Sequence, residues 1–164
     1  MFERYCRLAC NAISYAHVVA VLNGSPTIDS VHLLCGLTWE SESRTQVLFR
    51  LREIFPLHHG CPWKYTTLEV APESNPQLTD EAERILIRTA WEADAAYDYG
   101  IDTEHLLLGI LGERSCLAAQ HLIKAGITLK KARRVVAANR ASRPDYGPKS
   151  PWDRVLLKIG VKEK

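Results

Sequence analysis

The chain has 164 residues, enough for one domain with a sizeable core or two small repeated halves. Its 46% hydrophobic and 24% charged residues are ordinary for a soluble globular protein. No apolar run approaches the roughly 18 residues a membrane span needs, and the charged start "MFERYCRLAC" argues against a secretory signal. The net charge of +2 is unevenly spread. Residues 1–120 carry 9 Lys+Arg against 16 Asp+Glu, a balance of −7, whereas residues 121–164 carry 12 against 3, a balance of +9. Five cysteines without paired spacing argue for reduced thiols in a cytoplasmic protein.

In chain order, the first predicted helix runs from about Glu3 to Leu22 and breaks at "NGSPT". A short helix follows Ser30, and a third, through "TQVLFRLREIF", stops before Pro56. Residues 56–78, with four prolines, read as a linker with a brief extended piece around Tyr65 to Val70. The next helix starts behind Thr79, a good N-cap, with Asp80 and Glu81 in its first turn, and breaks at Gly100. A short helix capped by Thr103 runs through Leu111, "CLAAQHLIKAG" forms another that stops at Gly126, and "TLKKARRVVAANR" forms the last, with one basic face. The basic tail, 141–164, carries a predicted short helix over 151–159. Strand-like alternation is nearly absent, so the class is all-α.

A shift of 73 residues superimposes the halves. It pairs Ala9 with Ala82, Ile13 with Leu86, Ala20 with Ala93, Ile28 with Ile101, Asp29 with Asp102, His32 with His105, and Gly36 with Gly109. A constant offset across a helix and the motif behind it indicates a duplicated helical unit.

On these residues, "MFERY" and the repeated "IDSVHLLCGL" and "IDTEHLLLGI", the chain resembles the amino-terminal double Clp repeat of ClpA- and ClpC-type AAA+ unfoldases over about residues 1–140. The resemblance implies one domain of about eight helices, two pseudo-symmetric four-helix repeats (1–55 and 79–140). It also implies a non-catalytic module that binds a Clp unfoldase, its adaptors or its substrates. The chain has no "GxxxxGK[ST]" phosphate loop, which suits a stand-alone domain without the ATPase.

In ClpC-like relatives each repeat can bind phosphoarginine through a Thr at the start of its first helix and the Glu of "T-E-H". Carried onto this sequence, the resemblance implies a site at Thr79, Asp80 and Glu104, with Cys6 and Val31 as a degenerate counterpart. A helix N-terminus and a hydroxyl suit the phosphate, and a carboxylate suits the guanidinium.

Plainer readings compete. His32 and His105 fit a role organising a helix start through nearby backbone. Glu104 also suits the helix dipole. "HHGC" lacks a second pair at zinc spacing, so no metal or other cofactor is expected, and Cys6 and Cys10 suit packing as small hydrophobes. Neither "GxSxG" nor "HExxH" occurs, and nothing else argues for an enzyme. The alternative function is nucleic-acid binding through Lys130, Lys131, Arg133, Arg134, Arg140 and Arg143, which lack a groove-reading motif.

Overall fold

A computed structural model describes residues 3–55 and 75–139. The body of the expected linker and the predicted tail helix lie outside these residues. Eight helices carry the fold: α1 (Arg7–Leu22), α2 (Ser30–Trp39), α3 (Arg44–Phe49), α4 (Leu51–Ile54), α5 (Asp80–Ala95), α6 (Thr103–Gly112), α7 (Leu117–Lys124) and α8 (Leu129–Ala138). The all-α expectation needs one amendment, because two-residue strands β1 (Thr27–Ile28) and β2 (Gln77–Leu78) pair in parallel. Two residues per strand are too few for side-chain alternation to show in the sequence.

The offset of 73 is a structural symmetry. Thr27 and Ile28, ahead of α2, pair with Gln77 and Leu78, ahead of α5. Moving each partner by the offset predicts that Tyr5 should pair with Ile101, and a parallel bridge joins them. Each repeat therefore lends its leading segment to the other.

Within each repeat, the long helix and the one after it cross at an alanine-rich stripe. Ala9, Ala12, Ala16 and Ala20 of α1 are all buried, and in α5 Ala82, Ile85, Thr89 and Ala93 take their places. Gly36 and Gly109 make the crossings close. A Cβ on Gly36 would run into the Ala12 carbonyl, and one on Gly109 into the Thr89 hydroxyl and the Ile85 carbonyl. Leu33, Leu37, Leu106, Leu107, Ile110 and Leu111 fill the shared core and are fully buried.

Four boundaries differ from the sequence reading. Helix α1 begins at Arg7, because residues 4 to 6 are engaged with the second repeat: Ile101 donates to the Arg4 carbonyl at 2.7 Å and Cys6 to the Ile101 carbonyl at 2.8 Å. The N-caps of α2 and α6 are Asp29 and Asp102, whose side chains accept first-turn N–H groups, while Ser30 and Thr103 are already helical. Tyr97, with φ of 56°, takes the left-handed turn after α5, three residues before the expected break at Gly100. Arg50, also left-handed with φ of 50°, splits the expected third helix into α3 and α4. Such a break at a non-glycine residue leaves no sequence mark.

Candidate binding site at the paired helix starts

Helices α2 and α6 open on the same device. Asp29 donates its N–H to His32 Nδ1 at 3.1 Å, and Asp102 does so to His105 Nδ1 at 3.0 Å. Since Nδ1 accepts, the proton of His105 sits on Nε2, which faces Asp98 Oδ2 at 3.2 Å. Both histidines are buried and organise helix starts. Burial raises the Asp29 carboxyl, but hydrogen bonds from His32 outweigh it and hold the group below its ordinary value.

Thr79 is the N-cap of α5. Its hydroxyl accepts from the Ala82 N–H at 3.1 Å and donates to the Ile28 carbonyl at 3.3 Å, while its own N–H meets that carbonyl at 3.0 Å. Thr79 therefore stands at the head of α2, beside the first-repeat motif. By the same exchange, the residue bonded ahead of α6 is Cys6. The leading segments cross over, so Thr79 goes with the motif holding Val31, and Cys6 with the motif holding Glu104. Asp80 is exposed, and with Glu81 and Glu83 it makes the first turn of α5 acidic. Three carboxylates there attract cations and oppose a phosphate.

Glu104 is fully buried and faces Arg44 at the start of α3: Arg44 Nε lies 3.1 Å from its Oε1. The contact is a close ion pair, its N–H not aimed squarely at the oxygen. Arg44 also donates to the carbonyl of Asn139, the C-cap of α8, at 2.9 Å, joining the repeats twice. Arg44 was missed in the sequence, although the offset could have found it. The position equivalent to Glu104 is Val31, and that equivalent to Arg44 is Leu117. Helix α3 packs on α6, and α7 packs on α2. One junction between the repeats is thus ionic, and at the other the same two positions are apolar.

The offset holds further along. Ser43 and Cys116 cap α3 and α7, accepting from Gln46 and Ala119 N–H groups. Burial pushes the Cys116 thiol up, so it packs as an inert small group. Glu40 and Glu113 are the buried C-caps of α2 and α6. Glu40 accepts from Asn11 at 2.9 Å, and Glu113 accepts from Arg88 at 3.1 Å with Arg84 at 3.6 Å.

Burial raises the Glu113 carboxyl, yet the Arg88 and Ser115 hydrogen bonds and the Arg84 charge hold it below its ordinary 4.5. A depressed folded pKa gives stability above the ordinary value and loses it as pH falls through the folded one. Melting temperature should drop on acidification below about pH 4.5, and Glu113→Gln should flatten that drop. An equally steep drop in the variant would rule Glu113 out as its source.

Lys130, Lys131 and Arg134 are exposed on α8, while Arg133 is tied to Glu92 of α5 at 3.0 Å. Arg140 and Arg143 lie outside the described residues. Among the described residues no group of three His, Cys, Asp or Glu could hold a metal, and no single helix is long and apolar enough to cross a membrane. His58, His59 and Cys61 also lie outside them.

This duplicated helical fold is that of Clp chaperone amino-terminal domains. The crystal structure of the N-terminal domain of the chaperone ClpD from Arabidopsis thaliana matches with a TM-score of 0.61 at 16% identity, covering 86% of this chain and 97% of that one. A chain from structural work on a malarial protein secretion system matches with a TM-score of 0.63, also at 16% identity, covering 84% and 95%. The Clp repeat (R) N-terminal domain family matches residues 77–151. The chain carries a Clp N-terminal (Clp repeat) domain of the kind found in ClpA-, ClpB- and ClpD-type proteins. It is 28% identical over 138 residues to the chaperone protein ClpB of Oceanobacillus iheyensis, covering 83% of this chain and 17% of that protein. It is 31% identical over 91 residues to a ClpA homolog, an ATP-dependent Clp protease ATP-binding subunit, of Cyanidium caldarium, covering 53% and 11%. The chain thus spans under a fifth of the length of these curated relatives.

Proposed function

We propose that the chain is a non-catalytic protein-interaction module of a cytoplasmic Clp system, binding a Clp unfoldase, its adaptors or its substrates. The carrying observation is the Clp repeat at residues 77–151 on a fold shared with Clp chaperone domains. The four described cysteines are free thiols, which accords with a reducing compartment. An affinity pull-down from the protein's own cells tests the reading, and a Clp unfoldase or adaptor is the expected catch. Recovery of no chaperone component, together with a salt-dependent DNA shift, would replace it with the nucleic-acid reading.

The finer proposal concerns phosphoarginine at Thr79, Asp80 and Glu104. The guanidinium of Arg44 already holds the Glu104 carboxylate, so a tag reaches Glu104 only by displacing Arg44. Calorimetry with free phosphoarginine should then show binding at least tenfold stronger in Arg44→Ala than in the unaltered chain. No gain, with Arg44→Ala still folded by circular dichroism, excludes Glu104 from any such site.

A further inference from the structure

The exchange of leading segments leaves each repeat with a surface that another repeat must complete, and the two surfaces are built alike. Both present a leading residue for parallel pairing, a histidine-buttressed helix start, and a short third helix with a side-chain cap. In these shared features, repeat one could be completed by repeat one of a second copy, and repeat two by repeat two. The junction residues separate the cases. Where unlike repeats meet, Arg44 faces Glu104, and Val31 and Leu117 hold the equivalent places at the other junction. Were two first repeats to meet, the twofold arrangement would set Arg44 against Val31 at both junctions. Were two second repeats to meet, Leu117 would lie against Glu104 at both. Each like pairing buries charges without partners, which is far costlier than burying a matched pair.

We infer that the Arg44–Glu104 pair, set against the apolar Val31 and Leu117, selects the unlike pairing of repeats and opposes like-with-like association between copies of this chain. A buried ion pair gives little stability over a well-packed apolar pair of similar size. Its use here lies in the alternatives it penalises.

The test uses the full chain with a reporter. Cys116 bonds to Ser30 across the α2–α7 junction, so Ser30→Cys sets two thiols together only when unlike repeats meet. In like pairings the offset sets Cys116 against Thr103, and residue 30 against Ser43. After refolding from urea at high protein concentration and mild oxidation, the Ser30→Cys chain should be monomeric with a near-complete 30–116 disulfide, mapped by mass spectrometry. Adding Arg44→Leu with Glu104→Val makes both junctions apolar. In that background the dimer fraction from light scattering should rise at least fivefold, and the dimers should lack the 30–116 bond. The reversed pair, Arg44→Glu with Glu104→Arg, keeps the charge match and should behave as the parent. An apolar variant as monomeric and as fully cross-linked as the parent overturns the inference. So does a reversed pair that dimerises as much as the apolar one.

Discussion

Replacing Glu104 by valine, the residue at the same place in the first repeat, is expected to cost about 3–5 kcal/mol of unfolding free energy. The loss arises on the other partner, because Arg44 is left buried with its Glu104 contact gone. Arg44→Leu should cost a similar amount by stranding Glu104. The double variant, Arg44→Leu with Glu104→Val, should recover most of both losses, since it copies the pair of residues the other junction already uses. Urea unfolding of the four proteins closes the cycle, with an expected coupling of about 2 kcal/mol or more. Additive losses would mean that the two side chains act separately. The cycle also bears on ligand studies. A loss of binding in a Glu104 variant reports on a ligand contact only when the Arg44 partner has been neutralised as well.

The second large effect is expected at the helix crossings. Gly36→Ala drives a methyl group into the Ala12 carbonyl, with Ala16 N behind it, and both are backbone atoms that cannot rotate away. We expect a loss of about 3 kcal/mol. Gly109→Ala meets the Thr89 hydroxyl first, and that obstacle is removable. Adding Thr89→Ala should return about 1 kcal/mol of the Gly109→Ala loss, limited by the Ile85 carbonyl that remains. Thermal melts of the three variants suffice. If Gly36→Ala is as stable as the parent, the helices are not in the close contact described.

Much of this was legible in the sequence because the duplication repeats both residue types and spacing. The shift that pairs Gly36 with Gly109 in the sequence also pairs their obstructing neighbours, Ala12 with Ile85 and Ala16 with Thr89. Histidines that organise helix starts could be read from the motif alone. The caps were misplaced by one residue because Asp-Ser and Asp-Thr each offer two good capping side chains in a row, and spacing cannot choose between them. The site was legible only in part. Thr79 and Glu104 belong to one repeat in sequence, yet the crossed leading segments give Thr79 to the other repeat's motif. Nothing local announces such an exchange. The partner of Glu104 was recoverable from a paired change, Arg and Glu in one junction where Leu and Val stand in the other, but only knowledge that α3 meets α6 makes that change significant.

The crossed leading segments also set the order in which the molecule can be made. Arg4 bonds to the carbonyl of Tyr99, 95 residues away, and Tyr5 pairs with Ile101. Neither half can be finished until the other has arrived. During synthesis the first repeat must wait, with its opening residues unmatched, until Ile101 has left the ribosome. Closure across so long a separation is slow compared with the local contacts that assemble most helical proteins. The domain should therefore fold as one late cooperative event, and chains halted before Ile101 should remain open to proteolysis.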